Sequence, residues 1–254
     1  MDHVEGGSVY RRNNMKARLS SGNLSYGTWV TDCRQPSIMR RVADAGYDHV
    51  VIDMEHSSFS WETITDHCEM ARAVGLVPIV RPAELTRAST LRLLELGAMG
   101  VMFHDVDDRA EVDELRDWVL NSKVAQRSAS DKGQPGDGLV IAIQVETMRG
   151  LAAVEEMVAG GTVDMVEIGR GDLASEMGFP SQRGRPEILS AIDRIVAACE
   201  ANNVAAGVTC LSPEDVKAMY ERGVRCLTYS ADAFMISDGL KAGVEALRQF
   251  APRP

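Results

Sequence analysis

Cysteine pairing is missing from this sequence. The five cysteines, Cys33, Cys68, Cys199, Cys210 and Cys226, form no Cys-x-x-Cys spacing, and an odd number cannot close a complete disulfide framework. Neither a zinc knuckle nor a disulfide-stapled secreted fold is expected, and a reducing, cytoplasmic setting is. Basic charge is also scarce: 27 Lys and Arg stand against 37 Asp and Glu, a formal net charge of −10. That balance argues against a phosphate-backbone partner and leaves no basic stripe for an anionic membrane. No apolar run approaches the roughly 18 to 20 residues of a membrane span, and the N-terminus has no apolar secretory core. Gly169-Arg170-Gly171 lacks the third glycine and downstream acid of a dinucleotide fingerprint, which argues against a nicotinamide enzyme.

What is present is one large apolar inventory in a regular rhythm. A chain of 254 residues with 45% apolar content is long enough for one substantial core, and single α/β barrels reach this length. Residues 1–22 show little periodicity and read as a flexible polar extension ahead of a single domain over 23–254. Short β-branched runs then alternate with amphipathic segments, the pattern of repeated βα units. Eight strands are predicted, at 26–30, 49–53, 77–81, 100–104, 140–146, 164–169, 205–210 and 226–230. Helices are predicted near 36–45, 62–74, 87–96, 109–120, 150–159, 187–202, 213–222 and 236–249. Ser212-Pro213-Glu214-Asp215 supplies an N-cap, a first-turn proline and acidic dipole partners. Gly46, Gly97 and Gly223 recur just ahead of strands, where a helix must turn. The expectation is an α/β fold, a (β/α)8 TIM barrel with its chemistry at the C-terminal strand ends. Ser122 to Gly138 breaks the rhythm with no apolar face and reads as a mobile loop, a lid or a subunit contact.

Polar residues gather at those strand ends. Asp53-Met54-Glu55-His56 closes one strand and looks at first like a metal cluster in its own right. Arg81 follows Val77-Pro78-Ile79-Val80, Glu146 follows Gln144-Val145, and Asp172 lies just beyond Ile168-Gly169. Glu146 and Asp172, each alone readable as a solvated loop acid or cap, together can share a hard divalent cation such as Mg2+ or Mn2+. Gly169 and Gly171 can present backbone N–H groups to a carboxylate or phosphate. His56 suits general acid/base work beside Asp53 and Glu55, and Arg81 suits an oxyanion or carboxylate clamp. His104 also ends a strand and reads equally as a site or a rim residue, while Cys210 and Tyr229 read as wall residues.

The ordered set Gly27-Thr28-Trp29-Val30, Ala45-Gly46-Tyr47-Asp48, Ile52-Asp53-Met54-Glu55-His56, Val80-Arg81-Pro82, Leu96-Gly97-Ala98, Gln144-Val145-Glu146-Thr147 and Ile168-Gly169-Arg170-Gly171-Asp172-Leu173 resembles the HpcH/HpaI family. These are class II pyruvate aldolases related to macrophomate synthase. The resemblance spans roughly residues 15 to 250. It implies a barrel of the phosphoenolpyruvate/pyruvate-binding type, a homo-oligomer (hexamer or trimer), and a divalent metal, Mg2+, Mn2+ or Co2+, that binds pyruvate as its enolate. By resemblance Glu146 and Asp172 are the metal ligands and His56 the base. Arg81 holds the keto oxygen with Gln144 beside it, and Gly169, Gly171 and Asp172 hold the carboxylate, with His104 near the substrate. Glu95 falls where the family has an aspartate paired with the catalytic histidine. Asp53 and Glu55 are then supporting groups that orient His56, Arg81 or metal-bound water.

Three departures accompany the resemblance. The family's Tyr-Pro-Pro-x-Gly-x-Arg-Gly stretch is replaced by a shorter polar loop around 121–138, which implies a different acceptor pocket. His104 replaces a strand-end proline, and Arg170 replaces the proline of Gly-Pro-x-Asp-Leu, both adding charge near the site. The implied reaction is cleavage or formation of 4-hydroxy-2-oxo acids with an aldehyde partner. Alternatives are oxaloacetate decarboxylation coupled to carbon–carbon bond formation, and a non-catalytic oligomeric binding barrel.

Overall fold

The computed structural model describes residues 13–128 and 136–250. Eight parallel strands close into one barrel in sequence order: β1 (Ser25–Val30), β2 (His49–Asp53), β3 (Val77–Arg81), β4 (Gly100–Phe103), β5 (Val140–Val145), β6 (Met165–Ile168), β7 (Ala205–Cys210) and β8 (Cys226–Ala231). The helices are α1 (Asn14–Ser20), α2 (Ile38–Asp44), α3 (Trp61–Ala73), α4 (Arg87–Glu95), α5 (Arg109–Leu120), α6 (Lys123–Ser128), α7 (Met148–Val158), α8 (Arg170–Glu176), α9 (Pro186–Ala201), α10 (Pro213–Glu221) and α11 (Asp232–Arg248). The fold is the expected (β/α)8 TIM barrel, and each predicted strand lies within one residue of its observed bounds at either end. Among the described residues no helix is long and apolar enough to cross a membrane.

Local chemistry explains why the chain turns where it does. Gly46, Gly97 and Gly223 sit at φ +93°, +102° and +99°, a left-handed conformation that a Cβ disfavours, at the turn from helix to strand. At the opposite end of the barrel, Ser60, Thr86, Asp108, Thr147 and Ser212 each accept a backbone N–H from the first turn of α3, α4, α5, α7 and α10. These caps satisfy orphan donors and fix the entry angle of each helix just beyond a strand end.

Two segments differ from expectation. The stretch assigned to a polar extension contains α1, whose Met15 and Leu19 are buried with Val51, Val77, Ile79 and Met102 and close the N-terminal end of the barrel. Asn13 Nδ2 donates to the Met99 carbonyl (3.2 Å), and Lys16 Nζ pairs with Asp164 (3.1 Å). Seven residues with two apolar anchors are too short for a periodic signal, so burial and long-range polar contacts hold this helix; the expected extension over residues 1–12 lies outside the described residues. The loop expected over 122–138 contains α6, with Val124 and Ala125 buried in the main core. Its apolar face is only these two residues wide, which is why it was not visible; residues 129–135 lie outside the described residues.

Candidate active site

Alternation along the strands sends every second side chain into the barrel, and the upper interior layer is polar. Asp53 and Arg81 are register partners on β2 and β3, both buried. Arg81 donates through Nε to Asp53 Oδ1 (2.9 Å) and through Nη2 to Oδ2 (2.7 Å), a bidentate pair, and its Nη1 meets Glu55 Oε2 at 2.8 Å. The guanidinium lies over the Trp29 indole, Cζ 4.7 Å from the ring centroid. A guanidinium has five N–H groups; two donate to Asp53, while Nη1 stands in ion-pair contact with Glu55 without a hydrogen bond, so N–H groups on Nη1 and Nη2 remain for a substrate oxygen. Burial opposes the Arg81 charge, but the Asp53 hydrogen bonds and the Asp53 and Glu55 charges outweigh it and raise its pKa.

Glu55 is shared among three positive or polar partners. Besides Arg81, its Oε1 lies 3.6 Å from His56 Nε2 and 3.7 Å from His104 Nδ1. His56 projects into solvent at the barrel mouth, its side chain 67% exposed. His104 is buried one residue past β4, with Nε2 3.2 Å from the Pro82 carbonyl and Nδ1 3.1 Å from Asp105 Oδ2. A carbonyl only accepts, so Nε2 carries the proton in that bond, and Nδ1 faces the Glu55 and Asp105 carboxylates. Asp53 therefore orients Arg81, and it is Glu55 that reaches His56.

Glu146, buried one residue past β5, receives the Asp105 backbone N–H on Oε1 (3.0 Å) and the Gln144 amide on Oε2. Its pKa is pushed up to about 7, first by burial and further by the charges of Asp105, Asp172 and Glu55, against the lowering effect of the Asp105 N–H. Gly169 makes room for it: a Cβ there would stand 2.4 Å from Glu146 Cβ and 2.8 Å from Oε2. Asp172 is exposed on the first turn of α8 and bears on Glu146 through its charge. A second carboxylate set lies alongside. Among the described residues, one ligand atom each of Glu55, His104 and Asp105 falls within 4.8 Å of the others.

Three sequence expectations need correction. Glu95 is the exposed last residue of α4. That helix runs from the C-terminal end of β3 down to the start of β4, so Glu95 lies at the far end of the barrel from His56 and forms no dyad with it within the chain. Gly169 N–H is already donated to the Val145 carbonyl (2.9 Å), leaving Gly171 and Asp172, whose first-turn N–H groups have no intrahelical acceptor. Arg170 adds no free charge to the mouth: its guanidinium is buried, donates to both Asp215 carboxylate oxygens (2.8 and 2.6 Å) and reaches the Thr209 carbonyl.

Glu167 was not named from sequence, and Trp29 entered only within Gly27-Thr28-Trp29-Val30, without a role. Glu167 on β6 is fully enclosed, accepts from Thr209 Oγ1 (3.0 Å), and has its pKa raised to about 7, chiefly by burial. Trp29 Nε1 donates to the same Thr209 hydroxyl at 2.8 Å. The usable signal was the phase of Met165-Val166-Glu167-Ile168, which points Glu167 inward with Met165.

Comparison with known proteins agrees with this architecture. The family model described as HpcH/HpaI aldolase/citrate lyase matches residues 26–238. A 2-keto-3-deoxy-L-rhamnonate aldolase of Escherichia coli is 25% identical over 246 residues, covering 90% of each chain. Among solved structures, an HpcH/HpaI aldolase/citrate lyase family protein from Burkholderia cenocepacia superposes with a TM-score of 0.83 at 24% identity, covering 93% of this chain and 99% of the other. Macrophomate synthase shares the fold with a TM-score of 0.78 at 19% identity, covering 98% and 97%. With the barrel closed, the strand-end residues in place and the family model spanning most of the sequence, the chain belongs to the HpcH/HpaI aldolase/citrate lyase family, a family of carbon–carbon lyases.

Proposed function

We propose that the protein is a divalent-metal-dependent aldolase that forms or uses a pyruvate enolate, making or cleaving 4-hydroxy-2-oxo acids with an aldehyde partner. The observation that carries this reading is the Arg81 guanidinium, held by Asp53, Glu55 and Trp29 with N–H groups on Nη1 and Nη2 left over, its charge interacting with that of Glu146. Such a fixed cation, already desolvated, stabilises charge that develops on a keto oxygen without reorganising at the moment of reaction. The E. coli relative named for its action on a keto-deoxy sugar acid supports a 2-oxo acid substrate.

The residues around Glu146 fit a hard cation. A buried carboxyl is held near pKa 7 by burial and three neighbouring acids, the Gln144 carbonyl oxygen beside it has no hydrogen-bond partner, and Gly169 keeps the space above it clear. Carboxylate and amide oxygens are the donors Mg2+, Mn2+ or Co2+ accept. Glu146 and Asp172 are the proposed ligands, because Glu55 in the alternative set is already paired with Arg81. A cation held there lowers the cost of placing negative charge on a bound 2-oxo acid.

The chain's own groups do the rest. The N–H groups of Gly171 and Asp172 hold the substrate carboxylate, and the spare Nη1 and Nη2 N–H groups of Arg81 serve its keto oxygen. In the cleavage direction His56, at the mouth, takes the proton of the 4-hydroxyl. The C3–C4 bond breaks, the aldehyde leaves, and the bond electrons form the enolate, which is then protonated at C3 to pyruvate. In this reading His104 contacts the acceptor end. The chain also acts as a homo-oligomer in this reading, because α11 leaves a row of large apolar side chains in solvent.

Methyl deuteration of pyruvate in D2O, followed by NMR with and without Mg2+ or Mn2+, tests the proposal. Metal-dependent exchange is expected. No exchange with any of these metals, together with unconsumed oxaloacetate, overturns it.

A further inference from the structure

A chain of contacts runs from the barrel interior to Arg81. Glu167 is buried beneath the site, an expensive place for a carboxyl, and the fold accommodates it: opposite it in register is Gly207, where a Cβ would stand 2.7 Å from Glu167 Oε2. The other oxygen, Oε1, accepts the Thr209 hydroxyl proton at 3.0 Å. That hydroxyl has one proton to give, so its remaining capacity is to accept, and it accepts the Trp29 indole N–H at 2.8 Å. The indole in turn presents its face to the Arg81 guanidinium at 4.7 Å. Thr209 is pinned from behind as well, because its carbonyl receives Arg170, which is itself clamped bidentately by Asp215. Trp29 thus donates to Thr209 and Thr209 to Glu167, and the last link, to Arg81, is a cation–π contact. The bidentate Asp53 bonds fix the guanidinium within its own plane, but in-plane bonds leave its tilt free, and the indole is the surface that sets the tilt.

We propose that Glu167 and Thr209 are positioning residues for Arg81, acting through the Trp29 indole that they hold by its N–H. Neither touches the substrate. The inference rests on the reading that Arg81 meets the keto oxygen, and it adds a role for a carboxyl enclosed beneath the site. Loss of the hydroxyl lets the indole rotate and the guanidinium drift. A small displacement of a charge-stabilising group lowers turnover more than ground-state binding.

The test uses the full-length protein carrying Trp61→Phe and Trp118→Phe, so that Trp29 alone reports fluorescence. Thr209→Val keeps the side-chain shape and removes the hydroxyl; Thr209→Ser keeps the hydroxyl. Thr209→Val is expected to lower kcat for Mn2+-dependent pyruvate exchange about tenfold while KM moves less than about twofold. Trp29 emission is expected to shift as its N–H loses its acceptor, and Thr209→Ser to restore both. Glu167→Leu should act in the same direction, and the double variant with Thr209→Val should be no worse than Thr209→Val alone, because both changes break one chain. Unchanged kcat and emission in Thr209→Val, or additive losses in the double variant, overturn the inference while exchange by the parent protein stands. A parent protein that exchanges nothing overturns the enolate reading instead. The emission shift and the affinity for oxalate with Mn2+, which need no turnover, then decide the positioning chain separately: both must change in Thr209→Val and recover in Thr209→Ser.

Discussion

At the scale of single residues, the site is defined by which charges are compensated. Arg81 has two carboxylates in contact, whereas Glu146 sits among other acids and Glu167 is enclosed, and both carboxyls are raised to about 7. A folded-state pKa above the ordinary value of 4.5 means that the folded form holds its proton more tightly. The associated stability is therefore full below about pH 4.5 and is lost as pH rises through 7, by on the order of 3 kcal/mol for one such carboxyl. Glu146→Gln should accordingly be more stable than the parent protein at pH 8 and no more stable at pH 4, as urea midpoints will show; a constant difference across that range would contradict it. The same variant should reduce Mn2+ affinity by more than about a hundredfold, beyond the usual effect of an outer-shell change, while His104→Gln reduces it far less. The reverse order, read by electron paramagnetic resonance, moves the cation to the Glu55, His104 and Asp105 set. Lysine in place of Arg81 lacks the planar fork that meets Asp53 bidentately, and Arg81→Lys should lower exchange at least about a hundredfold. Strand-end residues such as Arg81 and Glu146 were legible because a charged group closing an apolar run has few structural explanations. Glu167 was not, since one acid inside a short strand is ambiguous until the barrel closes around it.

At the scale of elements, the junction between β6 and α8 shows how a turn makes a site. Its Gly169 donates to Val145 and so continues the ladder past β6, while its missing side chain leaves the Glu146 carboxylate in place. Gly169→Ala puts a methyl group 2.4 Å from Glu146 Cβ, an atom too close to the backbone to swing aside. The expected outcome is loss of metal-dependent exchange and weakened Mn2+ binding, with far-UV circular dichroism unchanged because φ at Gly169 is −75° and suits any residue. An alanine variant with full activity would show that β6 and β5 can separate at no cost. The strands and most helices were readable from alternation, N-caps and left-handed glycines, since each is a local rule. The helices α1 and α6 were not, because their two-residue apolar faces mean something only against the barrel floor and α5. Glu95 failed for a related reason: its neighbours in sequence match the family pattern, but only the direction of α4 decides which end of the barrel it occupies.

For the whole molecule, the telling element is α11. Seventeen residues span about 25 Å at 1.5 Å per residue, yet only Asp232 of this helix is buried. Asp232 ties its start to the barrel by accepting the backbone N–H groups of Thr31 (2.8 Å) and Cys33 (2.7 Å). Beyond that anchor Ile236, Leu240, Val244 and Leu247 recur at spacings of four, four and three along one face and remain 46%, 68%, 47% and 74% exposed. An amphipathic stripe looks the same in sequence whether it covers its own barrel or another, so the helix was predictable and its lack of a seat was not. Large contiguous apolar surface on a single chain marks an association site, and with the stripe carried by every copy, a second copy is the partner proposed. Leu240→Glu together with Leu247→Glu places two charges in that contact. Sedimentation equilibrium should then show the parent protein as an oligomer and the double variant as a monomer of about 27.6 kDa, with the barrel's thermal transition still cooperative because neither side chain packs in its core. A parent protein that already sediments as a monomer would instead leave α11 as a solvent-facing helix and remove the oligomer from the proposed function.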